Sequence, residues 1–231
     1  MKISKRTWLI NPFFLLQLMI VLPFGENVFG QTKTEEQPKT PEQTKTVTQV
    51  KVQAAQVNNF IQRFDDKALI SLALERNDDE TKKMLFLSNS LGYVAYSVPV
   101  ALFIDGVARH DSQMRQNALY VGSSAAITLG FTMLMKTVFK RRRPFVQNLK
   151  IVAVYNAGST SFPSGHTSTS FAVATALSRS YPKWYVIVPS YLWAGAVGYS
   201  RMYLGVHYPS DVFGGALLGS TTSWLLRPAI K

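Results

Sequence analysis

The 231-residue chain contains no cysteine, which excludes disulfides, thiolate-ligated zinc or iron–sulfur centres and thiol nucleophiles together. Histidine is scarce, with three in all: His110, His166 and His207. A closed metal site needs more ligands than a single His–Asp pair can offer, so no metal and no other cofactor is expected. Acidic residues are also few, 13 Asp and Glu against 25 Lys and Arg. A basic balance suits an anionic partner of any kind, whether nucleic acid, a membrane surface or a phosphorylated substrate. Strand signals are nearly absent: Ile151 to Tyr155 is the one short β-branched run, and it falls in a predicted loop. The expected fold class is therefore all-α, a helical bundle.

The hydrophobic share of 47% is unevenly spread. Lys2, Lys5 and Arg6 precede an apolar stretch from Trp8 to Pro23, with small residues near Gly30. Residues 1–30 thus read as a signal peptide or, left uncleaved, as an N-terminal membrane anchor. Both readings put residue 31 outside the cytoplasm. Residues 31–59 are rich in Gln, Thr, Lys and Glu, with Pro38 and Pro41, and cannot bury enough apolar surface to offset the entropy of ordering. They are expected to form a disordered polar linker.

Residues 60–231 are then the helical domain. Phe60, Ile61, Phe64, Leu69, Leu72 and Leu74 predict an amphipathic helix ending near Asn77 to Asp79, lying on a membrane surface or capping the domain. Four uncharged runs come after it, Met84 to Ile104, Ala118 to Met135, Trp184 to Ser200 and Val212 to Leu226, and a weaker helix should run from His166 to about Ser178. A bilayer takes roughly 20 apolar residues, so an integral membrane bundle with five or six apolar segments is expected, a soluble all-α core being the alternative. Gly215 with Gly219, and Gly195 with Gly198, would permit close helix approach.

Three short motifs stand out within this frame. Lys136 is followed, after six residues, by Arg143 and Pro144. Pro163, Ser164, Gly165 and His166 open a predicted helix. Ser200 and Arg201 precede His207, which stands four residues before Asp211. In this order the set resembles the signature of the type 2 phosphatidic acid phosphatase superfamily, which also holds bacterial acid phosphatases and vanadium haloperoxidases. The resemblance covers roughly residues 84 to 226 and includes all three motifs. It implies a metal-independent phosphatase in which the histidine corresponding to His207 is the nucleophile.

The residues support that chemistry on their own terms. A transferring phosphoryl group spreads negative charge over its oxygens, so catalysis is chiefly positioning plus fixed positive charge and N–H donors. Lys136, Arg143 and Arg201 supply the charge. Ser164 and Gly165 offer a hydroxyl and close-approaching amides at a helix start. Neutral imidazole can attack phosphorus at ordinary pH. Asp211 can reach back to one ring nitrogen of His207 and leave the other to attack, while Pro209 suits the first helical position. His166, with no carboxylate beside it, is then assigned the leaving oxygen and later the water. His110 has no motif and is read as structural or exposed.

Lys140, Arg141 and Arg142 lie outside the motif positions and are expected to steer an anionic head group at the mouth of the site. Basic residues after an apolar run usually mark the cytoplasmic side, yet counting segments from an exported N-terminus brings all three motifs to the outer face. The expected function is hydrolysis of a phosphomonoester or pyrophosphate on a membrane lipid, through a phosphohistidine, at the periplasmic face of a bacterial inner membrane. The alternatives are a soluble exported or periplasmic acid phosphatase and a vanadium-dependent haloperoxidase. A nucleic-acid module is not expected, because binding a phosphate backbone gives no reason for a His–Asp pair.

Overall fold

A computed structural model describes residues 59–158 and 160–226. The expected leader over 1–30, and the linker up to residue 58, lie outside these residues; residue 59 is already helical. The chain divides into two units after Phe60, and the second holds the helical bundle. The helices are α1 (59–74), α2 (Asp78–Ala108), α3 (Ser112–Phe139), the single turn α4 (Pro144–Gln147), α5 (Gly165–Ser180), α6 (Trp184–Tyr203) and α7 (Pro209–Leu226).

Local chemistry sets the boundaries. α1 stops at residue 74, short of the expected Asn77, because the Asn77 side chain instead caps α2 by accepting from the Glu80 amide at 2.9 Å. Asp78, Asp79 and Glu80 then place negative charge on the first turn of α2, where the helix dipole favours it. The α2–α3 turn passes through exposed His110 at φ 55°, and Asp111 caps α3 by accepting from the Met114 amide at 3.0 Å. Pro144 and Pro209 are the first residues of α4 and α7, where a missing N–H is no loss. Residues 151–155 form no strand.

α5 is the central helix, packed against α3, α6 and α7. Ala172, Val173, Ala174 and Ala176 are wholly buried there. The approach of α7 depends on glycine. A Cβ on Gly219 would lie 2.0 Å from the Ser168 carbonyl oxygen, and one on Gly215 would lie 2.7 Å from that of Ser164. Gly198 packs tightly too, its Cβ position 3.1 Å from Val212, whereas Gly195 has nothing within 4 Å and supports no such contact.

Among the described residues, α2 and the stretch Ser112–Gln147 are long and apolar enough to cross a membrane. Only 11% of the apolar window of α2 is buried, so that surface faces outward. Phe86, Tyr93, Tyr96, Val100 and Ile104 are all exposed along it. An apolar face of this extent suits lipid rather than water. α5, at 16 residues, is shorter than these, and enclosed by neighbouring helices it carries Thr167, Ser168, Thr169 and Ser170 in the interior.

Candidate active site

The three motifs meet at one end of the bundle because four helices terminate there. The last turn of α3 carries Lys136, the start of α5 carries Ser164, Gly165 and His166, the end of α6 carries Arg201, and the first turn of α7 carries Asp211. His207 hangs in the short connection between α6 and α7. That connection is shaped by the Arg201 carbonyl, which accepts from the amides of Val206 and His207 at 3.2 and 3.3 Å, and by Gly205 at φ 73°. A side chain at Gly205 would be strained by this left-handed backbone and would sit 2.9 Å from the Val152 carbonyl oxygen.

His207 is 2% exposed. Its Nε2 lies 3.3 Å from Arg143 Nη1, and its Nδ1 lies 3.6 Å from Asp211 Oδ2, beyond hydrogen-bond length. Among the described residues Nδ1 has no hydrogen-bond partner. Burial pushes the imidazole down from 6.5 to about 4, opposed by the Asp211 carboxylate and assisted by Arg143 and Arg201. The ring is therefore neutral at ordinary pH, the form in which a nitrogen lone pair is available.

Asp211 is fully buried and firmly aimed. Its Oδ2 accepts from the Tyr208 amide at 2.8 Å and from the Ser161 hydroxyl, while Oδ1 accepts from Arg141 Nη1 at 2.7 Å. Arg143 donates to the carbonyls of Val206 at 2.7 Å and Gly158 at 2.8 Å, which fixes its fork beside His207. Arg201 donates to the Ser88 hydroxyl on α2 and lies against the Tyr155 ring at 5.6 Å; its buried Nε has no hydrogen-bond partner among the described residues. Lys136 donates to the Thr160 carbonyl and is close enough to Arg143, Arg201 and Asp211 to feel their charges. Half-buried His166 feels Arg201, His207 and Arg143 in the same way. The Ser164 hydroxyl accepts from Thr167 at 2.9 Å, and no side chain caps α5, which leaves its first-turn amides to meet an anion.

All eight expected site residues thus lie at one end, but one expectation about their neighbours is overturned. Arg141 is no head-group collar. Its side chain is 9% exposed and bridges Asp65 on α1 and Asp211 on α7, at 2.8 and 2.7 Å. The guanidinium is also stacked 4.1 Å from the centroid of the Tyr208 ring. Lys140 and Arg142 remain exposed. Sequence reasoning missed Asp65, although one signal was present: an acid four residues before Leu69, on the face that Leu69 buries.

Residues 117–231 match the PAP2 superfamily. This chain belongs to that superfamily. The matched span holds every motif residue from Lys136 to Asp211, whereas α1 and α2 precede it. The lipid A 4′-phosphatase of Bacteroides thetaiotaomicron is 37% identical over 36% of this chain and 36% of its own length. The undecaprenyl-diphosphatase BcrC of Bacillus subtilis is 29% identical over 62% of this chain and 70% of its own. The fold extends the likeness further. A crystal structure described as the first transmembrane PAP2 type phosphatidylglycerolphosphate phosphatase, from Bacillus subtilis, superposes with a TM-score of 0.64 over 94% of each chain at 21% identity.

Proposed function

We propose that this PAP2 chain is a membrane phosphatase that hydrolyses a phosphomonoester or diphosphate on a lipid through a phosphohistidine at His207. The observation that carries the reading is a buried, neutral imidazole between Arg143 and the braced carboxylate of Asp211. Nε2 attacks the phosphorus, the bond to the lipid oxygen breaks, and that oxygen takes a proton from His166. Positive charge developing on the His207 ring draws Nδ1–H across its 3.6 Å gap towards Asp211. Lys136, Arg143, Arg201 and the α5 amides hold the phosphoryl oxygens. Water then gives a proton to His166 and attacks phosphorus, releasing phosphate and restoring His207.

A lipid substrate is favoured by the outward apolar face of α2 and by the exposed Lys140 and Arg142 beside the site, which suit an anionic head group. The names of the two curated relatives point to lipid phosphates as well. The site is read as facing the periplasm. In this cysteine-free chain, Asn156→Cys in the site loops should react with an impermeant thiol reagent in intact cells, and Ala108→Cys at the far end of α2 should not. The reverse pattern would turn the site inward. Hydrolysis of a polyprenyl diphosphate or a lipid phosphomonoester should resist chelators and be inhibited by vanadate. Loss of turnover with a chelator, restored by a divalent cation, would overturn the mechanism, and halide oxidation with vanadate present would favour a haloperoxidase.

A further inference from the structure

Asp65 lies outside the span that matches the superfamily, yet it is fully buried behind the site. Its Oδ1 accepts from the Ser210 amide at 3.0 Å, and its Oδ2 accepts from Arg141 Nη2 at 2.8 Å and from the Ser210 hydroxyl. Arg141 Nη1 donates to Asp211 Oδ1 and to the Ser210 hydroxyl oxygen, each at 2.7 Å. One guanidinium therefore bridges two buried carboxylates, of which Asp211 is the one that approaches His207.

The count of charges explains the second carboxylate. Arg141 alone would neutralise Asp211 at contact distance, and a neutral pair gives little support to positive charge on an imidazole. With Asp65 the trio carries one net negative charge, and Arg141 is held from both sides. The surroundings make that charge matter. His207 is faced by cationic Arg143 from the segment before α4, by cationic Arg201 from α6 and by His166 from α5. Lys136 on α3 acts on Asp211 itself, and α2 brings only the neutral Ser88, through Arg201. The trio is the negative counterweight to them all.

We propose that Asp65, acting through Arg141, is a positioning residue for the reaction: it fixes Arg141 and offsets its charge, so that Asp211 stays aimed at His207 and keeps its negative charge for the phosphohistidine step. The inference rests on His207 being the nucleophile. It gives α1 a place in the chemistry, since Asp65 anchors that helix to the catalytic end by a buried ion pair.

The test uses the full chain in proteoliposomes with a lipid phosphate, comparing Asp65→Asn, Arg141→Gln and the double variant. Asp65→Asn should lower kcat by about 10- to 100-fold, in the range of lost orienting partners in other sites, with KM within about twofold. It should also move the acid limb of the pH profile of kcat/KM to lower pH, because a negative charge near the imidazole is gone. Arg141→Gln should move that limb to higher pH, and the double variant, which restores the net charge, should bring it back. If Asp65→Asn does not accumulate in the membrane, Arg141→Gln against the double variant gives the same readout, since the double variant has the wild-type net charge and Asp211 keeps its bonds from the Tyr208 amide and the Ser161 hydroxyl. Lower rates with an unmoved limb in all variants, or a wild-type rate in Asp65→Asn, would overturn the role of Asp65 while wild-type phosphoenzyme still formed. Absence of any phosphoenzyme in the wild type would overturn the nucleophile itself, and the proposal with it.

Discussion

The outer face of α2 and the end of the bundle that gathers the motifs invert the arrangement of a water-soluble protein. On α2, Phe86, Tyr93 and Val100 are 74%, 77% and 56% exposed. At the other region, Arg143, Arg201, His207 and Asp211 are 6% exposed or less. Each surface is matched to its surroundings: apolar side chains face lipid, and charges withdrawn from water are held by partners or, on the proposed mechanism, by a phosphate. The same contrast separates two kinds of buried cation. Arg141 is held by two carboxylates, whereas Arg201 keeps a buried Nε without a hydrogen-bond partner among the described residues, a donor suited to an incoming anion.

Changes at the polar end should have the largest effects. His207→Ala should lower kcat by at least about 10³-fold while the protein still inserts, as loss of a nucleophile does elsewhere. His166→Ala should be milder on a substrate with a good leaving group, where protonation matters less. Activity close to wild type in His207→Ala would remove the contrast between a functional and a merely solvating end. On the apolar face, Val100→Arg should cost about 2.5–3.5 kcal/mol of insertion, seen as less protein in the membrane fraction. A surface facing water would tolerate that arginine.

Packing between the two regions gives a smaller effect. Gly219→Ala should destabilise by about 1–3 kcal/mol, measured as a lower unfolding temperature in detergent, because its Cβ would meet the Ser168 carbonyl. The pH profile should report the burial of His207. The ring attacks only when neutral, and burial holds it down to about 4, so kcat/KM should stay flat on this limb towards that pH and fall about tenfold per unit below it. The unfolded imidazole binds its proton near the ordinary 6.5, so the unfolded chain takes up more protons between those values. The contribution of His207 to stability is then complete above 6.5 and declines as pH drops towards 4. The smallest effect is expected from Lys140→Gln with Arg142→Gln. KM for a lipid phosphate should rise a few-fold, more at low salt, with kcat nearly intact. Equal effects on a small soluble ester would remove the head-group argument.

The motif residues that the structure gathers at one end were legible because phosphoryl chemistry restricts residue types at fixed local spacing. Ser164 to His166 and His207 to Asp211 are local motifs, and the helix ends that display them follow from Pro209 and from the apolar runs. The helices were legible for the same reason, as α6 and α7 reproduce the uncharged runs nearly end to end. Contacts between distant segments were not. Arg141 meets Asp65 across 76 residues, and Arg201 meets Ser88 across 113. No spacing rule reaches so far, and a run of four basic residues from Lys140 to Arg143 gives no sign that its second member turns inward. α1 shows the same limit: its apolar residues suggested a helix on a membrane surface or capping the domain, and gave no sign that a buried acid among them anchors it.

The central claim is that phosphate passes through His207, and it can be tested directly by quenching the wild-type enzyme during turnover of a lipid phosphate and locating the covalent phosphate by peptide mass spectrometry under alkaline conditions that preserve phosphoramidates. The account predicts phosphate on the peptide containing His207, phosphate there also in His166→Ala when the substrate has a good leaving group, since only water attack is then slowed, and none in His207→Ala. Phosphate on His166, or full turnover with no phosphorylated histidine at any quench time, would contradict it.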